Sequence, residues 1–376
     1  MAWSNCLRIT ACARSGCPDA LCRLAGAALS LPPAVERPHD AAQAMGRHLC
    51  VIAGDGIGPE VLPAAVAVLE KLLPDVRVQA AEAGWDCFLR HGTAVPDATL
   101  ACMSACGAGL FGAVSSPSRR VEGYRSAILT LRQRLGLNVN LRPVRSWPAV
   151  SPKTGVDLLI LRENSEGLYS GREHWEAPGV AIAERVISRA ASQRLARCAV
   201  AVAKSRAARR ITLVHKANVL PLTCGLFRDS CREVLEAEGL AAQLDERLVD
   251  VAALQLVQSP EAFDLIVTSN LFGDILSDLA CHWSGGLGLA PSLNWGAGLA
   301  LAEPVHGSAP DIVGSGRANP LAAILSAALL LRYQWQEDAL ATRIEDAVQA
   351  FLMEEGRCDF GTETTRVVTQ GVLALL

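Results

Sequence analysis

Short apolar segments alternate with amphipathic ones along most of the chain, beginning near residue 49. Residues 49–53 predict a strand, and a glycine-rich turn and an amphipathic helix to about residue 73 follow it. Further strands are predicted at 76–83, 108–114, 156–161, 211–215 and 263–268, and helices at 192–204, 226–238, 321–333 and 337–354, the last two closing the chain. This alternation predicts an α/β fold with buried, parallel strands.

The turn after the first predicted strand reads Gly54-Asp-Gly-Ile-Gly-Pro-Glu60. A Rossmann dinucleotide-binding loop needs its third glycine three residues after the second, but Pro59 occupies that position. No acidic residue follows a strand at the expected distance either. We therefore interpret the segment as a tight turn that packs the first strand onto its helix, and we predict a non-Rossmann fold.

Two aspartates lie four residues apart in the segment 270–278, which follows the predicted strand at 263–268. On a helix this spacing places Asp274 and Asp278 on one face, where their charges repel each other. Mg²⁺ or Mn²⁺ would remove that repulsion, because hard cations prefer oxygen ligands. The alternative is that Asp274 caps the helix and Asp278 faces solvent.

Four basic residues stand near the ends of predicted elements. Arg132, Arg142 and Arg162 offer planar guanidinium groups, which suit a substrate with two or three carboxylates. Lys216 follows the predicted strand at 211–215, where α/β enzymes place reactive groups, and beside a dication it would act as a base. The alternatives are surface ion pairs for the arginines and an exposed loop for the lysine.

A loop of small residues between positions 303 and 319 carries further candidate chemistry. Such a loop can enclose an adenosine, and Asp311 can accept hydrogen bonds from the hydroxyls of a ribose. Because an acid there would repel a 2′-phosphate, the loop favours NAD over NADP. The candidate cofactor-binding residues are Glu303, His306, Gly307, Ser308, Ala309, Asp311, Ile312 and Asn319.

These segments, in this order, resemble the β-decarboxylating dehydrogenase family, which includes isocitrate, isopropylmalate, homoisocitrate and tartrate dehydrogenases. The resemblance covers nearly everything after Met45. Its motifs are Gly54–Glu60, Leu141-Arg-Pro143, Arg162-Glu-Asn-Ser-Glu-Gly-Leu-Tyr169, His215-Lys-Ala-Asn218, Asn270–Asp278 and His306-Gly-Ser-Ala-Pro-Asp311.

The resemblance implies a fold of two α/β domains with the active cleft between them. The first domain would comprise residues 46–137 and 285–376, and the second residues 138–284. A clasp from the second domain would join two subunits into a homodimer with shared active sites, and a higher homo-oligomer is the alternative.

The resemblance also implies a role for each candidate residue. Arg132, Arg142 and Arg162 would hold the carboxylates of a malate-type substrate. Tyr169 would protonate the enolate left by decarboxylation. Two groups would come from the other subunit: Lys216 as the base for the substrate hydroxyl, and Asp250, which would bind the metal with Asp274 and Asp278.

The segment 115–129 is implied to contact the variable group of the substrate. Ser126 is absent from isopropylmalate enzymes, whereas the asparagine usual in isocitrate enzymes is missing here. Arg119, Arg120 and Arg125 would meet a distal carboxylate. Together with the stretches 163–172, 180–195 and 215–228, these features are most similar to homoisocitrate dehydrogenases. Isocitrate, then isopropylmalate or another substituted malate, are the alternatives.

A different class of function is a regulatory subunit without activity, but such subunits typically lose metal or base residues that this chain retains. The chain has 376 residues, is 51% hydrophobic and carries a net charge of -3, which disfavours a disordered or nucleic-acid-binding protein. The apolar run at 321–331 is too short to span a membrane.

The 13 cysteines lack paired metal-ligand spacing and indicate reduced thiols in a cytoplasmic enzyme. Residues 1–45 differ in composition from the rest. We expect Met45 to be the true start; a mitochondrial transit peptide, which would place the enzyme in the matrix, and a mobile extension are the alternatives.

Overall fold

Ten strands of the described chain form one mixed sheet, and two more form a separate hairpin. The computed structural model describes residues 47–296, 298–354 and 364–376, so the predictions for residues 1–45 lie outside the described residues. In chain order, the strands β1 to β12 are His48–Gly54, Arg77–Ala81, Ala108–Ala113, Val139–Arg145, Asp157–Glu163, Glu173–Ala177, Val180–Ala183, Ile211–His215, Leu244–Leu248, Leu265–Thr268, Pro291–Gly296 and Leu299–Pro304.

Helices pack on both faces of the sheet. In chain order, α1 to α11 of the described ranges are Gly58–Leu72, Trp85–His91, Asp97–Cys106, Ala127–Arg134, Arg189–Arg206, Thr223–Ala237, Val249–Gln258, Asn270–Ala280, Leu321–Leu329, Asp338–Met353 and Thr365–Leu375. The prediction that the helix at 337–354 closes the chain was wrong, because α11 follows it. Thr364 caps α11 by accepting a hydrogen bond from the backbone N–H of Val367. None of the helices in the described ranges is long and apolar enough to cross a membrane.

The strand order across the large sheet is β2-β1-β3-β12-β11-β4-β5-β10-β8-β9. The strands β2, β1, β3 and β12 run parallel to one another, and so do β5, β10, β8 and β9. Three antiparallel pairs, β12–β11, β11–β4 and β4–β5, connect these two parallel halves. The predicted α/β fold is confirmed, with antiparallel strands at the centre of the sheet.

The strand order groups the chain as the predicted domains do. The half with β2, β1, β3, β12 and β11 comes from residues 46–137 and 285–376, and the other half comes from residues 138–284. The division into two domains itself stays a prediction.

The glycine-rich turn packs β1 tightly against α1 and β3. Gly54 has a φ of 70°, and a Cβ there would lie 1.9 Å from the backbone oxygen of Ala113. A Cβ at Gly58 would lie 2.0 Å from the backbone oxygen of Ala53. No other residue fits these positions without moving backbone, which agrees with our interpretation of the segment as a tight turn.

Candidate active site

Polar side chains collect on one face of the three central strands, β11, β4 and β5. Side chains alternate along a strand, so Asn140 and Arg142 lie on the same face of β4. The register pairs Asn140 with Arg162 of β5 on one side and with Asn294 of β11 on the other. All four side chains are buried. This face is therefore a polar patch at the junction of the two halves of the sheet.

Arg132 reaches the patch from the last turn of α4. Its Nε donates to Oδ1 of Asn294 at 2.9 Å, and its Nη2 donates to Oε1 of Glu303 at 2.8 Å. The side-chain amide of Asn294 donates to the same Glu303 oxygen at 2.8 Å. Glu303, at the end of β12, thus contacts the predicted substrate arginine; its predicted cofactor role stays a prediction.

Arg142 and Arg162 both contact aspartates on α8. Arg142 lies 3.3 Å from Asp274 and 3.0 Å from Asp278, and Arg162 forms an ion pair with Asp274. A Cβ at Gly273 would lie 2.7 Å from the Cβ of Arg162, so glycine lets α8 approach β5 this closely. The helical spacing predicted for the two aspartates is confirmed.

Two of the arginines are close enough to the third to change its pKa. Burial, and then the positive charges of Arg142 and Arg132, lower the pKa of Arg162 to about 10. Burial would raise the pKa of Asp274, but Arg162, the hydrogen bond from Tyr169 and Arg142 lower it overall. A buried cluster of three positive charges needs anionic partners. Glu303, Asp274 and Asp278 supply them within the chain, and the carboxylates of a small substrate are of the same chemical class.

Tyr169 lies on a short 3₁₀ turn, Leu168–Ser170, after β5. Its hydroxyl donates to Oδ2 of Asp274, and the guanidinium of Arg162 lies 5.0 Å from the centre of its ring. Burial, together with the hydrogen bond to Asp274, raises the pKa of Tyr169. The phenol therefore stays protonated near neutral pH and can donate a proton.

The aspartates on α8 have the donor chemistry that a hard cation requires. The helix begins at Asn270 and its N-cap is Ser269, so Asp274 stands in the second turn and does not cap the helix. Burial raises the pKa of Asp278; the nearby Arg142 lowers it, and the negative charge of Asp274 raises it again, so that the overall shift is upward. A dication would relieve this repulsion, so both residues fit a Mg²⁺ or Mn²⁺ site.

Lys216 and Asp250 lie apart from this cluster and contact each other. The Nζ of Lys216 is 2.6 Å from Oδ1 of Asp250, and the Asp250 side chain is 61% exposed. Within the described part of the chain, neither residue has a hydrogen bond or ion pair with the arginines or with Asp274 and Asp278. That Lys216 and Asp250 contribute to the active site of another subunit stays a prediction.

The predicted cofactor loop is fixed to the glycine-rich turn. The N–H of Ile57 donates to the backbone oxygen of Ser308 at 3.0 Å, and Ala309 has a φ of 42°. Asp311 and Ile312 are exposed on a 3₁₀ turn, Pro310–Ile312, and Gly307 is also exposed. The side-chain oxygen of Asn319 accepts the N–H of Leu321, the first residue of α9, at 3.0 Å.

His306 links this loop to the polar patch. Its Nδ1 lies 3.0 Å from the carbonyl of Gly307, whereas its Nε2 is buried without a partner in the described structure. Burial lowers the pKa of His306, so the ring is neutral near pH 7. Arg132, Arg142, Glu303, His306 and Gly307 line one cavity of about 150 Å³. The unpartnered nitrogen and this cavity fit a small polar group of a bound ligand.

The residues that hold the arginines in place were not predicted from the sequence. Asn140 accepts from Nε of Arg142 at 2.7 Å, and Asn270 accepts from Nε and Nη2 of Arg162. Both stand within segments that carry the family motifs or next to them. Asn294 and Ser292 of β11 lie in no motif, and only the sheet register brings them to the site.

A sequence model described as isocitrate/isopropylmalate dehydrogenase matches residues 48–375. The chain belongs to this family. It is 50% identical over 334 residues to an isocitrate/homoisocitrate dehydrogenase of Thermus thermophilus, covering 88% of this chain and 99% of that one. It is 43% identical to a homoisocitrate dehydrogenase of Methanocaldococcus jannaschii (82% and 90% covered) and to a 3-isopropylmalate dehydrogenase of Archaeoglobus fulgidus (82% and 92%).

Solved structures of this family have the same fold. An isocitrate dehydrogenase from Methylococcus capsulatus superposes with a TM-score of 0.82 at 38% identity, covering 88% of this chain and 99% of that one. A β-decarboxylating dehydrogenase from Thermococcus kodakarensis superposes with a TM-score of 0.76 at 41% identity, covering 87% and 95%. The predicted isopropylmalate-dehydrogenase-like fold is confirmed.

Proposed function

We propose that the protein oxidises homoisocitrate with NAD and decarboxylates it to 2-oxoadipate, using Mg²⁺ or Mn²⁺. The observation that carries this proposal is the buried cluster of Arg132, Arg142 and Arg162 beside Asp274 and Asp278. It combines three positive charges for substrate carboxylates with two carboxylates for a dication. A relative named isocitrate/homoisocitrate dehydrogenase at 50% identity and one named homoisocitrate dehydrogenase at 43% identity support this substrate. Isocitrate is the second candidate.

In this reaction some residues of the chain bind the substrate, and others transfer protons. Asp274, Asp278 and Asp250 would hold a metal that supplies Lewis-acid chemistry, and the 303–319 loop would hold NAD⁺, which would supply the hydride acceptor. The arginines hold the substrate carboxylates, and Lys216 takes the proton of the substrate hydroxyl as the hydride leaves. The resulting β-keto acid loses CO₂, and Tyr169 returns a proton to the carbon that carried it.

The role of Lys216 is tested by Lys216→Ala. Because general base catalysis typically contributes about 10²- to 10⁴-fold, kcat should fall by at least about 100-fold. Calorimetry should show metal-dependent substrate binding nearly unchanged. Lys204→Ala is a matched control, since Lys204 is an exposed lysine that pairs with Glu238 at 2.7 Å. A Lys216→Ala variant that retains kcat would rule out this role.

We also propose a homodimer with shared sites, in the cytoplasm, where the free thiols of the described chain stay reduced. The helix that carries Asp250, α7, exposes the apolar side chains of Val251, Leu254 and Val257, and α8 exposes Ile275. The β6–β7 hairpin exposes Trp175 in the same way. Such contiguous apolar faces support burial against a second copy, with Lys216 and Asp250 serving that copy's site.

Complementation tests the shared site. Lys216→Ala and Asp274→Asn each inactivate both sites of their own dimer. In a hybrid dimer, one site receives both mutations and the other neither, so random mixing should restore about one quarter of wild-type activity. Recovery of no activity above the parents would show that each chain holds a complete site.

The three arginines of the 115–129 segment test the substrate. Arg119, Arg120 and Arg125 are exposed and form no ion pair within the described residues. A charge-assisted hydrogen bond to a distal carboxylate contributes about 1.5–3 kcal/mol, or roughly 10- to 100-fold in binding. At least one Arg→Gln variant should therefore lower kcat/KM for homoisocitrate by that factor and leave 3-isopropylmalate little affected. Equal losses on both substrates would remove this segment from distal-carboxylate recognition.

The exposed carboxylate of Asp311 supports NAD as the cofactor, because it would repel the 2′-phosphate of NADP. Asp311→Asn should reduce the preference for NAD over NADP, measured as a ratio of kcat/KM values. An unchanged ratio would mean that another residue selects the cofactor.

A further inference from the structure

A glutamate, a cysteine and a histidine come together at α2. One carboxylate oxygen of Glu82, the sulfur of Cys87 and a ring nitrogen of His91 all lie within 4.8 Å of one another. Cys87 and His91 are four residues apart and share one face of α2, and Glu82 precedes the helix by three residues. None of the three belongs to the residues assigned to the reaction above.

We propose that Glu82, Cys87 and His91 bind one transition-metal dication of the Zn²⁺ class at a site separate from the catalytic metal site. Thiolate sulfur, imidazole nitrogen and carboxylate oxygen are the ligands that Zn²⁺ takes in proteins. Mg²⁺ and Mn²⁺ prefer oxygen, so the α2 site and the aspartates of α8 select different ions. Three protein ligands leave the fourth tetrahedral position to water.

The two oxygens of Glu82 already have different partners. Oε1 lies 3.1 Å from Nη1 of Arg90, and Oε2 lies 3.2 Å from Nε2 of His91. Arg90 can therefore keep hold of one oxygen while the other binds the ion, as outer partners of metal-ligating carboxylates do. The ion would replace the present contact between His91 and Glu82.

Two of the three ligands are exposed and the third is buried. Glu82 and His91 are exposed, whereas Cys87 is 1% exposed. An ion from solvent would meet the carboxylate and the imidazole first and then the thiol on the inner side. The thiol gives the site its preference for a softer dication over Mg²⁺.

The backbone around the site is held at both ends of α2. The buried carboxylate of Asp55 accepts hydrogen bonds from the N–H groups of Trp85 and Asp86 at 2.8 Å and 3.0 Å. Gly92 ends the helix with a φ of 71°. Because this short helix is fixed before the ion arrives, binding has to order only three side chains.

The test uses Co²⁺ as the probe on the full-length protein, in excess Mg²⁺ to occupy oxygen-only sites. Co²⁺ bound to a thiolate has charge-transfer absorbance that Co²⁺ bound to oxygen lacks. We expect one equivalent of Co²⁺ to give this absorbance and Zn²⁺ to displace it. Cys87→Ser should abolish the absorbance, and His91→Gln and Glu82→Gln should each weaken binding by at least about 10-fold.

Two controls match these variants. His174→Gln removes another exposed histidine, one that lies 3.5 Å from the carboxylate of Glu176, and Cys106→Ser removes a half-buried thiol on α3. Both should leave Co²⁺ binding unchanged. The proposal is overturned if the wild type lacks the absorbance or if Cys106→Ser, and not Cys87→Ser, removes it. If Cys87→Ser fails to fold, the test rests on the two exposed ligands, His91 and Glu82. An unchanged affinity for Co²⁺ in both His91→Gln and Glu82→Gln then overturns the proposal.

Discussion

The buried carboxylate of Asp55 should contribute strongly to stability. Asp55 is 2% exposed, and its Oδ1 accepts the N–H of Asp86. Its Oδ2 accepts the N–H groups of Trp85 and Ser115, both at 2.8 Å. This one side chain therefore holds the start of α2 and the segment after β3 against the glycine-rich turn.

Asp55→Asn keeps the shape of the side chain and replaces one oxygen with an amide that cannot accept a hydrogen bond. In either orientation, at least one buried N–H loses its acceptor, and the remaining bonds lose the negative charge. Hydrogen bonds to a charged group contribute about 1.5–3 kcal/mol each, so we expect the free energy of unfolding to fall by about 3 kcal/mol.

Urea unfolding at one protein concentration would measure this loss as a lower midpoint at an unchanged m-value. Asp86→Asn is a matched control, because Asp86 is exposed and its side chain has no hydrogen bond in the described structure; it should cost less than about 1 kcal/mol. If Asp55→Asn lowers the free energy of unfolding by less than about 1 kcal/mol, the hydrogen bonds to the Asp55 carboxylate do not contribute strongly to stability.

Three further predictions concern packing, pH and the polar patch. Gly112→Ala should destabilise the protein by about 1–3 kcal/mol, since the new Cβ would lie 2.3 Å from the backbone oxygen of Ala53. Gly225→Ala is the control in thermal unfolding; it should be neutral or stabilising, because there is open space around Gly225. His306 has a pKa below its unfolded value of 6.5, so its contribution to stability is complete above that pH and is lost as the pH falls toward the folded pKa. His306→Gln should therefore weaken the loss of stability between neutral pH and pH 5.5, and an unchanged pH dependence of urea unfolding would contradict this. Asn294→Ala removes the acceptor of the buried Arg132 Nε and one of the two donors to Glu303, although Arg132 and Glu303 still pair with each other. It should raise KM for the substrate and lower the free energy of unfolding by about 1–3 kcal/mol; unchanged values of both would exclude a positioning role.

Local patterns predicted the parts of the site that are local in the chain. The spacing of Asp274 and Asp278 fixed their common helix face, because helical periodicity depends only on sequence separation. The turn at Gly54–Gly58 followed from its glycines in the same way. Helix α11 was not predicted, because no strong apolar pattern was recognised after residue 354.

Contacts between distant segments could not be read from periodicity. Asn294 reaches Asn140 only because β11 pairs with β4, and strand register depends on the packing of the whole sheet. The carboxylate of Glu303 stood in the predicted cofactor loop, yet it contacts Arg132 from α4. The resemblance to a family brought the arginines together in the prediction; the asparagines that hold them appeared only in the structure.

Formation of NADH by the purified protein with Mg²⁺ tests whether it oxidises homoisocitrate with NAD. Homoisocitrate, isocitrate and 3-isopropylmalate would be compared in parallel, each with NAD and with NADP. We expect the highest kcat/KM for homoisocitrate with NAD. A preference for isocitrate would keep the mechanism and change the substrate, whereas turnover of none of the three would contradict the proposed function.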